Sequence, residues 1–227
     1  IGGGQTPSPG EGALAHHGVL FLDELPHFRG SAIDLLREPL ESGVAVIARA
    51  RYKVRYPCKF QLIAAMNPCP AGRVCSETSC RCAPNQVQRY QSRISGPLLD
   101  RIDLQVRVPQ LKHATLTRLE QQADRAQTID SLRDQVRAAR LRQERRQGHT
   151  NNWLAATQLR HEMTAAGLSQ DFLTQALQQF QLSARSYHKV WRIARTIADL
   201  EAQDKISQSH MVEALGFRSL PWDQGLK

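Results

Sequence analysis

The chain has 227 residues and leaves room for one large domain or two moderate ones. Its 41% hydrophobic and 22% charged residues exclude a disordered or collagen-like chain. The best apolar run, from Gly18 to Leu22, stops at Asp23, far short of the roughly 18 residues a membrane-spanning helix needs, so no membrane role is expected. A net charge of +9 favours polyanionic partners or acidic surfaces without fixing which. Of five cysteines, four lie between Cys69 and Cys82, a pattern that suits a reducing compartment, the cytoplasm, better than a disulfide-stapled scaffold. The chain opens at Ile1 without an initiator Met or a signal-peptide core and reads as a piece of a longer polypeptide.

Up to residue 110, short apolar runs alternate with Gly and Pro; from Leu111 onward the chain is rich in Ala, Leu, Gln and Arg and nearly free of Pro until Pro221. In the first half, residues 19–22 and 60–66 read as buried strands ending in Asp23 and Asn67. Between them, Ser31 to Glu41 carries Ile33, Leu36 and Leu40 at helical spacing, with Gly43 as the stop. Strand, helix, strand predicts an α/β portion with a parallel sheet. Ligands bind such sheets at the carboxyl ends of the strands, so Asp23, Glu24 and Asn67 are candidate site residues. Residues 44–57 alternate as a hairpin does, with Arg51, Lys53 and Arg55 on one side and Tyr52, Val54 and Tyr56 on the other. The second half predicts a long helix over about 112–146 and shorter ones near 154–166, 170–181, 184–202 and 207–215. The expected division is an α/β portion over 1–110, a connecting helix over 111–150 and an all-α domain over 151–227.

Four apolar residues followed by Asp23-Glu24 form the arrangement known as Walker B in P-loop ATPases. A buried strand pins the first carboxylate beside a nucleotide's Mg²⁺, and the second can orient the attacking water. A plain strand end with an acidic turn is the competing reading. Asn67, at the tip of the next strand, suits a residue that positions the lytic water, the role named sensor 1. In Leu98-Leu99-Asp100-Arg101-Ile102-Asp103-Leu104, Arg101 precedes what reads as a short strand and suits a finger on a neighbour's γ-phosphate; an ion pair with Asp100 or Asp103 is the alternative. Arg185 falls in the first turn of a helix, an unfavourable place for a cation unless an anion binds there.

These pieces in this order resemble the magnesium-chelatase-like AAA+ ATPases of the ComM/YifB type over nearly the whole chain. The most specific segments are Pro9 to Phe28, Leu62 to Gly72, Arg89 to Val106 and Ser183 to Glu201. The resemblance implies a P-loop NTPase core followed by a helical lid, and a homo-oligomeric ring, a hexamer, with ATP and Mg²⁺ bound between subunits. Matched residue by residue, it implies Asp23 and Glu24 as Walker B, Asn67 as sensor 1, Arg101 as the arginine finger and Arg185 as the sensor 2 arginine. No G-x-x-x-x-G-K-[ST] loop occurs in the sequence. Family members carry that phosphate-holding loop upstream, after a further N-terminal domain, so this chain reads as a C-terminal portion expected not to hydrolyse ATP alone. The function implied is an ATP-driven motor acting on DNA, in helicase or branch-migration work linked to competence and recombination. The alternative is a chelatase-type chaperone ATPase driving metal insertion or remodelling of a protein partner.

The basic edge formed by Arg51, Lys53 and Arg55 suits tracking of a nucleic-acid backbone, or else is a solvated hairpin face. Arg133, Arg137 and Arg140 share a helical face continued by Arg142, Arg145 and Arg146, which reads first as solvated surface. Cys69, Cys75, Cys80 and Cys82 offer four thiols for a tetrahedral Zn²⁺, although their spacing is not that of a standard zinc knuckle and reduced loop thiols are the alternative. Cys58 reads as a small buried hydrophobe, and Trp191 as core.

Overall fold

The structure, a computed structural model, describes residues 2–3, 7–49, 52–72, 80–108 and 128–218. The chain divides into two units, Ile1–Ile102 and Asp103–Lys227. Within the second unit the long helix packs on a later helix.

In the first unit, β1 (Gly2–Gly3) and β2 (Ser8–Pro9) form a short antiparallel ladder, followed by α1 (Glu11–Leu14). The central feature is β3 (Val19–Leu22) paired in parallel with β6 (Gln61–Ala64), Leu22 opposite Ala64. The crossover holds α2 (Gly30–Asp34), α3 (Arg37–Ser42) and an antiparallel hairpin, β4 (Val44–Arg49) with β5 (Tyr52–Pro57). After β6 come α4 (Pro84–Gln91) and α5 (Gly96–Leu99).

Three expectations need correction. The helix over 31–41 is two helices, because Pro39 has no N–H to give the carbonyl four residues back and its ring crowds that carbonyl. Gly43 does stop the second, with φ 69° in the left-handed region. The strands are not buried on both faces: Val19 and Phe21 are 53% and 59% exposed, while Leu22 turns toward a core of Leu25, Ile33, Ile94 and Leu98. A two-stranded sheet covered on one side only gives this alternation. Finally, residues 102–108 form no strand.

The second unit is helical: α6 (Ile129–Gln147), α7 (Ala156–Ala166), α8 (Gln170–Gln179), α9 (Ala184–Leu200) and α10 (Gln208–Gly216). The sequence reading of 112–127 is untouched by this, since residues 109–127 lie outside the described ones. The breaks are set by local chemistry: Gly148 and Gly167 cap helices at φ 78° and 62°, and the hydroxyls of Thr128, Ser169, Ser183 and Ser207 accept N–H bonds at helix starts. Val190, Trp191, Ala194 and Ile197 on α9 face Leu159, Met211 and Leu215. Trp191 is fully buried, as its spacing predicts.

Beside this apolar core lies a buried polar knot. The Asp199 carboxylate accepts from Arg146 at 2.6 and 2.9 Å, from Asn151 Nδ2 at 2.8 Å and from Arg195 at 3.0 Å. Arg195, fully buried, also donates to the Asp204 carbonyl at 2.7 Å and to Glu162 at 3.3 Å. Arg146 thus leaves the solvated arginine face, whereas Arg133 and Arg137 stay on it, paired with Asp130 and Asp134.

Burial alone would raise the Asp199 pKa, but hydrogen bonds from Arg146 and Asn151 and the charges of Arg195 and Arg146 outweigh it, leaving the carboxyl below its ordinary value. A depressed carboxyl contributes its stability above the unfolded pKa of about 4 and loses it as pH falls through the folded value. Asp199→Ala is expected to cost about 3–5 kcal/mol at neutral pH, because the buried Arg195 guanidinium and the partly exposed Arg146 lose their shared counter-charge. In urea unfolding, the gap between wild type and variant should narrow below about pH 4.

Candidate active site

Beyond β3 the ladder continues with two residues looped out. Ala65 N–H donates to the Leu22 carbonyl at 2.9 Å, and the Ala65 carbonyl accepts from Leu25 N–H at 2.9 Å. Asp23 and Glu24, between those two anchors, are pushed out of the ladder. Glu24 adopts φ 50°, ψ 46°, a left-handed conformation costing a non-glycine residue about 1–3 kcal/mol. The Asp23 Oδ1 accepts Glu24 N–H at 2.8 Å, which fixes the turn. Leu25 and Pro26 then plunge into the core. Both carboxylates are therefore exposed at the carboxyl end of a strand whose following residues are locked.

Asn67 emerges, exposed, three residues past the end of β6, at the same end of the parallel pair. The sequence reading missed what holds it. Tyr90, 4% exposed on α4, hydrogen-bonds the Asn67 backbone, and Gln91 Nε2 donates to the Pro68 carbonyl at 3.0 Å. Burial pushes the Tyr90 hydroxyl pKa up; the Asn67 bond works against this, and nearby Glu24 and Cys69 work with it. The phenol thus sits among Asn67, Glu24 and Cys69. Its sequence signal was only an aromatic in a polar helix. Gly72, at φ 54°, packs against the Asn67 side chain: a Cβ there would lie 3.2 Å from Nδ2. Close by, His27, Pro70, Cys82, Arg89, Tyr90 and Arg93 line a shallow cavity of about 500 Å³.

Arg101 follows α5 in the same unit, 14% exposed, and its ion pair reaches Glu41, far from it in sequence. The guanidinium donates to Glu41 at 2.7 Å, to the Arg37 carbonyl at 3.1 Å and to the Pro97 carbonyl at 2.6 Å. Asp103 meets Lys189 of α9 at 2.7 Å. Arg185 lies in the second unit, exposed in the first turn of α9.

On the hairpin, paired residues share a face. Ala45 with Tyr56 and Ile47 with Val54 form the inner one, where Ala45 and Ile47 are buried. Lys53 opposite Ala48 and Arg55 opposite Val46 form the outer one, both exposed. Arg51 lies outside the described residues. Tyr56 steadies the hairpin through a 2.9 Å bond to the Pro7 carbonyl. Cys58 is buried, 1% exposed, which pushes its thiol pKa up. Cys69, Cys80 and Cys82 are brought together, while Cys75 lies outside the described residues.

Gly72→Ala should destabilise the first unit by about 1–2 kcal/mol, the cost of a Cβ in the left-handed region, and displace the Asn67 amide. Denaturant unfolding checks the first effect, and the NMR shift of the Asn67 side-chain NH₂ the second.

The family described as "Magnesium chelatase, subunit ChlI" matches residues 1–116, and "Magnesium chelatase, subunit ChlI C-terminal" matches residues 126–218. Among curated relatives, "Competence protein ComM" of Haemophilus influenzae is 43% identical over 97% of this chain and 42% of its own length. "Uncharacterized protein YifB" of Escherichia coli is 41% identical over 97% of this chain and 43% of its own. The "Magnesium-chelatase 38 kDa subunit" of Acidiphilium rubrum is 38% identical over 60 residues, 26% of this chain and 17% of its own length. The chain spans less than half the length of the first two relatives. With matches across both its α/β unit and its helical unit, the chain belongs to the magnesium chelatase ChlI family, in its ComM- and YifB-like branch.

Proposed function

We propose that this chain is the hydrolytic and lid portion of an ATP-driven AAA+ ring motor that acts on DNA in the cytoplasm. The observation that carries the reading is the placement of Asp23, Glu24 and Asn67 at one end of the parallel β3–β6 pair, the first two held outward by ladder bonds on either side. A match to the competence protein ComM over 97% of the chain, against 26% for the chelatase subunit, supports a competence-related role over a chelatase chaperone.

Among the described residues, the donor set suits part of a Mg–ATP site. Asp23 presents a hard carboxylate oxygen of the kind Mg²⁺ takes, and the loop that would cradle the phosphates is not in this sequence. When bound, Mg²⁺ neutralises charge on the β- and γ-phosphates. Asp23 would hold it there. Glu24, one residue on and strained outward, would accept a hydrogen bond from the attacking water and take up its proton as the water adds. Asn67, braced by Tyr90 and Gly72, would fix the water's orientation. Arg101 would reach a neighbouring subunit's γ-phosphate, and Arg185 would meet phosphate from the lid; both compensate negative charge.

In a polypeptide extended to the length of the relatives, Glu24→Gln should lower the ATPase kcat by about 10²- to 10⁴-fold with ATP binding retained. The 227-residue chain alone should show no turnover. Steady-state phosphate release beside equilibrium binding of a fluorescent ATP analogue checks both, and a Glu24→Gln variant with full turnover sinks the assignment.

The outer face of the hairpin supplies the DNA contact. Lys53→Glu with Arg55→Glu should weaken binding of forked DNA by the extended polypeptide and reduce the slope of log K against log salt by about 0.9 for each phosphate that is no longer neutralised. An unchanged slope identifies the hairpin face as merely solvated.

A further inference from the structure

We propose that Cys69, Cys80 and Cys82 form a thiolate site for a soft divalent cation, zinc by class, which clips the segment carrying Asn67 onto the start of α4. The Sγ atoms of these three residues all lie within 4.8 Å of one another. A Zn²⁺ with bonds of about 2.3 Å to each sulfur at tetrahedral angles needs sulfurs about 3.8 Å apart, so small side-chain rotations close the site. Three thiolates leave one tetrahedral position for water or a further donor. Cys75, between Cys69 and Cys80 in sequence, lies outside the described residues, and the three-thiol site stands without it.

The thiols arrive from two stretches of chain that the protein has independently docked. Cys69 is 3% exposed and opens a turn closed by the Gly72 N–H on the Cys69 carbonyl at 3.2 Å. Cys80 and Cys82 lead into α4, whose far end is tied back by Tyr90 to the Asn67 backbone and by Gln91 to the Pro68 carbonyl at 3.0 Å. Apolar packing explains a single buried Cys such as Cys58; it does not explain an exposed Cys80 converging with a half-buried Cys82 on a buried partner. A metal there would close the chain between Cys69 and Cys82 into a loop and restrain the short segment that joins Cys69 to Asn67. The metal site does not depend on the ATPase reading; only the use made of a fixed Asn67 does.

The full chain, purified under reducing conditions without a chelator or an affinity tag that binds metal, should hold about one zinc per chain by mass spectrometry of the metal. Replacement with Co²⁺ should give thiolate-to-cobalt charge-transfer bands and the intense d–d bands of a tetrahedral ion. Cys58→Ser should keep the full complement. Cys80→Ser and Cys82→Ser should each retain less than about a tenth of it. Cys80 is exposed, so its variant carries the test even where a Cys69 substitution fails to fold. A zinc-supplemented wild-type chain without metal, a disulfide among these thiols in the reduced preparation, or unchanged zinc in Cys80→Ser and Cys82→Ser overturns the site. Hydrogen exchange tests the clip: stripping the metal should speed exchange across residues 67–72, and unchanged exchange overturns that role.

Discussion

The in-register parallel pairing of Val19–Leu22 with Gln61–Ala64 is the constraint on which the first unit depends. Parallel strands end at the same edge; antiparallel strands of this length would separate the tips by about 13 Å. A slip of one residue would also turn Leu22 away from Leu25, Ile33 and Leu98 and bring Phe21 in their place. Register, core and site are thus one choice. The ladder bonds flanking the looped-out Asp23-Glu24 pair make it sharper still, since both anchors fall on the same residue, Ala65.

Tyr90 extends this order to the other side of the site. Its ring is buried and its hydroxyl satisfied by the Asn67 backbone, so the helix that carries it and the strand that ends near Asn67 are held by a bond formed out of bulk water. Gly72 completes the brace by allowing the chain to fold back against the Asn67 amide. In the second unit, the Asp199 knot plays the equivalent part, tying α6, the Asn151 turn and α9 to one carboxylate. What each supplies is a single permitted geometry, since any alternative strands a buried polar group.

Most of the architecture was legible from period and punctuation. Residues 19–22 and 44–57 announce strands, Gly43, Gly148 and Gly167 announce helix ends, and the acids after Leu22 mark the end of a strand. What was not legible has physical causes. Pro39 sits where a helical pattern of Ile33, Leu36 and Leu40 continues straight across it, so period and breaker disagreed and the breaker won. Tyr90, Asp199 and Glu41 act through partners far away in sequence or through several elements at once, and no local pattern encodes such pairings. Arg146 looked like one more member of a basic run because its charge is visible in the sequence and the carboxylate that draws it inward, 53 residues later, is not.

If Arg101 is the finger proposed above, it is one already bonded within its own unit. Its side chain is 14% exposed, its Nη2 rests on Glu41, and two backbone carbonyls take other directions of the fork. A long cation in water would forfeit up to about 2 kcal/mol of rotamer freedom on meeting a phosphate. Held here, it has already lost that freedom, and the half-exposed Glu41 carboxylate is the anion it meets. Exchanging one carboxylate for a more highly charged phosphate leaves the two carbonyl bonds intact, so the Glu41 contact is the one that needs to open. In the proposed role Glu41 would keep the guanidinium aimed and its charge compensated, and would give way at Nη2 to a phosphate of higher charge.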